Sequence, residues 1–137
     1  MSERTVVTGF STLQLRNWKN FASCETDLAA RVFLVGPNAA GKSNFLDALR
    51  FLRDLASAGG GFQEAVRHRR GVSSIRCLAA RRYPDIALRV VVQAEGPEPR
   101  WEYELAFNQD KQRRARIARE RVVRDGAALL ERPNDND

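Results

Sequence analysis

Leu13 and Leu15 alternate with Thr12, Gln14 and Arg16, the period of a strand with one buried face. Trp18 and Phe21 flank a turn-like Lys19-Asn20, and a second short extended piece over 24–28 would turn Glu25 and Asp27 to solvent. The pattern then changes. Val32–Val35 are continuously apolar and Gly36 ends the run, which predicts a central strand over 31–35 buried on both faces. After Ser43 the apolar residues Phe45, Ala48, Leu49, Leu52 and Leu55/Ala56 recur every three to four positions, predicting a helix over 43–56. Asp47, Arg50, Arg53 and Asp54 fall mostly off that face, and the three glycines of Ala-Ser-Ala-Gly-Gly-Gly end the helix.

Further along, a short helix from Phe62 would turn Phe62, Ala65 and Val66 inward. Val72–Ala79 reads as a strand followed by a basic turn at Arg81-Arg82. Ile86–Ala94 and Trp101–Phe107, separated by the polar loop Glu-Gly-Pro-Glu-Pro-Arg, read as an antiparallel hairpin with one solvated face. Another hairpin joins Val122-Val123 to Ala127–Leu130 through Arg-Asp-Gly, because Asp-Gly tolerates the positive φ such turns need. Residues 72–131 thus form a β-rich region and 132–137 a polar tail. Trp18, Trp101 and Tyr103 are expected to cover the sheet core.

At 137 residues the chain holds one ordinary domain at most, and 43% hydrophobic with 29% charged residues is a soluble globular composition. No apolar run approaches the roughly 18 residues of a membrane span, so the expectation is a cytoplasmic protein with no membrane association. Cys24 and Cys77 lack metal-ligand spacing and fit thiols of a reducing compartment. The net charge of +6 is carried largely by arginine. Arg113, Arg114, Arg116, Arg119, Arg121 and Arg124 cluster after Lys111, but no aromatic platform accompanies them, which favours a solvated connector over a nucleic-acid surface.

The chemistry concentrates at residues 36–43, which satisfy G-x-x-x-x-G-K-[ST] between an apolar run and an amphipathic helix. Such a loop turns backbone N–H groups inward, and the helix adds its unpaired N-terminal donors and positive dipole end. Gly41 lets the backbone approach phosphates. Lys42 is placed to meet the outer phosphates and Ser43 to ligate Mg²⁺. Gly36 begins the turn, Pro37 stiffens it, and Asn38, Ala39 and Ala40 contribute backbone donors. A glycine-bearing turn that binds nothing would explain the glycines but not the lysine-serine pair.

Hydrolysis needs more, including a metal-holding acid and a group that orients water. Asp85 and Asp110 are poorly placed for the acid, Gln63 and Gln93 read as polar surface, and His68 in Arg-His-Arg-Arg reads as solvent-exposed. The catalytic residues are therefore unassigned.

From Leu13 to Leu55, with Asn17-Trp18-Lys19-Asn20-Phe21 and Gly36-Pro37-Asn38 through Lys42-Ser43-Asn44, the chain resembles the N-terminal segment of AAA-family ATP-binding proteins of the SMC/RecF/OLD-like group. The resemblance implies an α/β P-loop NTPase, a partial ABC-type ATPase head with an antiparallel β-rich region. It implies ATP and Mg as cofactors, places Asn44 with the loop residues at the nucleotide, and puts Asp47 and Leu49 on the supporting helix. The family often has glycine where this chain has Ala39. Its signature motif and paired acids have no counterpart here, so an N-terminal lobe, a truncated product or a component completed by a C-terminal partner polypeptide is expected. Paired heads in the family make a homodimer a further expectation. The resemblance sets conformational work in nucleic-acid maintenance or defence beside a noncatalytic nucleotide-binding module. A small-molecule kinase, the third reading, lacks an acceptor base or lid.

Overall fold

The alternation around Leu13 and Leu15 becomes β1, Gly9–Trp18, with both leucines buried. In the computed structural model, which describes residues 9–79, 85–93, 97 and 99–134, β1 is flanked by two antiparallel partners. On one side lies β2, Phe21–Asp27, and on the other β3, Ile86–Gln93. The sheet continues through β4, Trp101–Gln109, β5, Ala115–Arg124, and β6, Ala127–Arg132, in the order β2-β1-β3-β4-β5-β6 with every pairing antiparallel. Asp125 (φ 47°) and Gly126 (φ 81°) make the last turn, the positive pair expected of Asp-Gly.

Register collects the apolar residues on one face. Leu15 lies opposite Leu88, Leu88 opposite Leu105 and Ile86 opposite Phe107, and all four leucine and phenylalanine partners are buried. Among the described residues three helices cover that face: α1, Lys42–Ala56, α2, Phe62–Arg67, and α3, Val72–Ile75. Phe51 of α1 is fully buried, its ring edge-on to Trp18 at 5.3 Å and stacked on Phe107 at 5.5 Å, while Phe62 meets Phe107 edge-on at 5.3 Å. Such rings carry the largest apolar area of the core and fix α1 across β1 and β4. On the opposite face the strands carry ion pairs, Arg89–Glu102 at 2.5 Å, Arg119–Glu104 at 3.4 Å and Arg121–Glu131 at 3.8 Å. The exposed pairs Arg119–Glu104 and Arg121–Glu131 contribute at most about 1 kcal/mol each and mainly keep the face in water, while Arg89–Glu102 is half-buried.

Two sequence expectations are corrected. Residues 31–35 are not a central strand: they have irregular backbone and join no ladder, with Val32 49%, Phe33 86% and Val35 92% exposed. Four apolar residues in a row need strand neighbours on both edges and cover on both faces, and among the described residues the six antiparallel strands supply neither. Val72–Ile75 is a single helical turn instead of a strand, because Val72 and Ile75, three residues apart, are buried while Ser73 and Ser74 between them are exposed. The turn expected at Arg81-Arg82 lies outside the described residues. The exposure of Phe33 carries a prediction: Phe33→Asp should change the stability of this chain by less than about 0.5 kcal/mol in urea unfolding. A loss of several kcal/mol would mean that the run is buried after all.

Candidate phosphate-binding loop

The end of β1 sets the site. Asn17 (φ 59°) and Lys19 (φ 50°) both take left-handed backbone, which a bare strand end would not favour. Asn17 is buried, its Oδ1 accepting the Cys77 N–H at 3.0 Å and its Nδ2 donating to the Asp85 carbonyl at 3.2 Å. The Lys19 N–H donates to the Ile75 carbonyl at 2.6 Å, so the β1–β2 turn is tied to α3 and held beside the start of α1.

The loop itself is Gly36–Gly41. The Ala40 N–H donates to the Pro37 carbonyl at 3.2 Å, closing a tight turn whose later residues Ala39 (φ 69°) and Gly41 (φ 102°) are left-handed. Ala39 holds that conformation with a Cβ, at a cost of about 1–2 kcal/mol over glycine. This gives a physical reason for the glycine common at that place in the resembling family. Gly41 has a second constraint, since a Cβ there would lie 2.4 Å from Asn20 Nδ2.

From Gly41 the helix begins, with the Phe45 N–H donating to the Gly41 carbonyl at 2.8 Å. The N–H groups of Lys42, Ser43 and Asn44 have no intrahelical acceptor, as at every helix start. The Lys42 ammonium reaches back to the carbonyls of Gly36 and of Pro37, the latter at 2.9 Å. It thus neutralises the mouth of the loop from within. Ser43 is exposed and its hydroxyl has no partner among the described residues. Free donors at a positive helix end, one ammonium and one unengaged hydroxyl form a donor set that fits a polyphosphate and a hard divalent cation.

Behind the loop lies a charge network that the sequence did not disclose. Lys19 Nζ meets Asp47 at 2.8 Å, and Arg69 grips the same carboxylate through two bonds of 2.9 Å. Arg69 also bonds Asp54 at 3.0 Å and the Ala65 carbonyl at 2.8 Å, and its guanidinium lies 5.1 Å from the Phe51 ring centroid. Burial by itself would raise the Asp47 pKa, but hydrogen bonds and charge from Arg69 and Lys19 outweigh it and hold the carboxyl below its usual range. At Asp54 desolvation likewise raises, and Arg53 and Arg69 together pull the carboxyl below its usual range. Asp47 and Asp54 stand seven residues apart, two turns along one helix face, which was the available signal for a cation between them. Asn20 was similarly hidden within a turn-like dipeptide.

Of the other candidates, Asp110 is engaged in its own turn. It accepts the N–H groups of Gln112 and Arg114, each at 2.9 Å, and the Arg114 side chain at 2.8 Å. Asp85 accepts from Asn108 at 2.7 Å. Gln63 donates to the Ala115 carbonyl at 3.0 Å, Gln93 is exposed at the end of β3, and His68 is 67% exposed beside Glu64. None of these stands with the loop. Most of the basic tract is already partnered: Arg114 pairs with Asp110, Arg116 donates to Asn108, Arg119 and Arg121 meet Glu131, and Arg124 lies over the Trp101 ring at 5.4 Å. Trp18 lies fully buried in the core, whereas Tyr103 and Trp101 are half-buried. Among the described residues no helix is long and apolar enough to cross a membrane.

The family profile described as "AAA domain, putative AbiEii toxin, Type IV TA system" matches residues 31–136. The chain is 36% identical over 64 residues to endonuclease GajA of Bacillus cereus (strain VD045), covering 47% of this chain and 11% of that protein. Its fold is similar to that of the recombination mediator protein RecF with ATP, at TM-score 0.56 and 18% identity, covering 90% of this chain and 29% of RecF. A second RecF structure, with ATPrS, gives TM-score 0.54 and 19% identity over 89% of this chain and 28% of that one. The chain therefore spans a minor part of the relatives it matches, and the RecF likeness shows the fold, an antiparallel sheet with covering helices. With most of its length matched, the chain belongs to the AAA-domain family and has a RecF-like fold.

Proposed function

We propose that the chain binds Mg·ATP through Gly36–Asn44 as the nucleotide-holding part of a larger ATPase. The observation that carries this is the convergence of the Lys42 ammonium, the free Ser43 hydroxyl and the open N–H groups of the first turn of α1 at one end of the helix. The open backbone N–H groups of the loop and of the first turn of α1 would hold phosphate oxygens. Lys42 would exchange the carbonyls of Gly36 and Pro37 for the outer phosphates, and Ser43 would ligate the metal. Bound Mg²⁺ would supply charge neutralisation at the phosphates.

In this reading residues 31–35 become the strand that their composition calls for when further apolar strands lie beside them, supplied by a partner polypeptide or by chain such as the longer relatives carry. The conformational work of the complete ATPase would serve nucleic-acid maintenance or defence in the cytoplasm, and a second copy of the head would be its partner across the nucleotide. Support for nucleic acid comes from the endonuclease and recombination-mediator relatives, not from the tract 111–124, whose cations are largely paired. Among the described residues no water-orienting group stands at the loop, so the chain by itself should bind Mg·ATP with little or no turnover. Calorimetric titration tests the reading: saturable uptake of Mg·ATP by the folded chain supports it, and the absence of heat at any ATP concentration overturns it.

A further inference from the structure

We propose that Asn20, in the turn between β1 and β2, is a positioning residue that fixes which way the Ala40–Gly41 peptide faces. This inference rests on the reading of Gly36–Asn44 as a nucleotide loop. Asn20 Nδ2 donates to the Ala40 carbonyl at 3.4 Å, and its Oδ1 accepts from Asn44 Nδ2 at 3.0 Å. The carboxamide thus joins the last residues of the loop to the first turn of α1. In a trans peptide the C=O of one residue and the N–H of the next point in opposite directions. Drawing the Ala40 oxygen toward Asn20 therefore turns the Gly41 N–H to the far side of the peptide, away from the turn.

That orientation needs a restraint because glycine resists rotation weakly. Gly41 is already at φ 102°, and without a Cβ it crosses between backbone basins at little cost. The missing Cβ is also what admits the strut, since that atom would lie 2.4 Å from Asn20 Nδ2. The strut is anchored in the core, where Trp18 Nε1 donates to the Asn44 carbonyl at 2.9 Å and the Trp18 ring is fully buried. Lys19, between Trp18 and Asn20, adds its 2.8 Å contact to Asp47. Three consecutive residues of one turn thus hold the loop and α1 to the sheet.

The test compares wild type, Asn20→Ala, Asn44→Ala and the double variant by Mg·ATP calorimetry, thermal melting and hydrogen exchange at the Gly41 amide. Asn20 is exposed, so its truncation should leave the melting temperature nearly unchanged. Asn20→Ala should lower Mg·ATP affinity about fivefold to tenfold, the size of one lost hydrogen bond, and should speed Gly41 exchange. Because Asn44 acts on Ala40 through Asn20, the double variant should bind no more weakly than Asn20→Ala alone. Wild-type affinity in Asn20→Ala, or additive losses in the double variant, would overturn the assignment. Should wild type take up no Mg·ATP, the nucleotide reading falls by itself and exchange decides the strut: faster Gly41 exchange in Asn20→Ala supports it, and an unchanged rate overturns it.

Discussion

Replacing Lys42 with alanine should weaken Mg·ATP binding by about tenfold to a hundredfold, the loss of a charge-assisted bond to phosphate, while leaving the melting temperature unchanged. The bonds of Lys42 run to the carbonyls of Gly36 and Pro37, and both residues are exposed, so water replaces the ammonium without stranding a buried acceptor. Among the described residues the ammonium is the one side-chain cation hydrogen-bonded across the loop, where its full charge adds to the positive end of α1 against a triphosphate. Calorimetry on the two folded proteins reads the affinity, and circular dichroism melting reads the fold. Equal affinities would remove Lys42 from the site. A collapse of the fold would make it a structural residue.

The second large effect lies behind the loop. Arg69→Met keeps a stem over Phe51 but removes four hydrogen bonds, leaving Asp54 with Arg53 and Asp47 with Lys19 alone. Arg69 is 10% exposed, Asp47 19% and Asp54 21%, so the network is neither fully buried nor freely solvated. Breaking a fully buried pair costs about 3–5 kcal/mol, and with this residual solvation we expect about 2–3 kcal/mol at pH 7. The pH dependence has a definite sign. Both carboxyls are held below their ordinary range in the folded chain, so their stabilisation is fully present above the unfolded carboxylate pKa, near 3.9. It is lost as pH falls through the lower folded values. The gap between wild type and Arg69→Met should therefore narrow from pH 7 to pH 3 in urea unfolding. A gap independent of pH would mean that Arg69 acts through its packing on Phe51 and not through the carboxylates.

Local patterns made much of the molecule legible. The alternation at Leu13 and Leu15, the helical period after Ser43 and the Asp-Gly turn each state a neighbour relation within a few residues, and the fold obeys all three. The loop was legible for the same reason, because strand-like run, glycines, lysine and serine follow one another directly. Val32–Val35 shows the limit. Its composition describes a buried strand, but burial depends on distant neighbours that the pattern does not name, and the described residues leave Phe33 in solvent. Arg69 and Asn20 were obscured in another way. Each works across the fold, Arg69 on carboxylates 15 and 22 positions away and Asn20 on a carbonyl 20 positions away, and such contacts leave little local trace. Arg69 was further masked by its charged neighbours, which made the whole stretch read as solvated surface.

Nucleotide binding at this site requires that the open N–H groups where the loop meets α1 receive phosphate. Following the ¹⁵N–¹H resonances of Gly41, Lys42, Ser43 and Asn44 while Mg·ATP is added measures that contact directly. These four amides should shift together, saturate with one affinity and exchange more slowly with solvent in the bound state. Saturable ATP binding that moves other amides and leaves these four in place would contradict binding at this site.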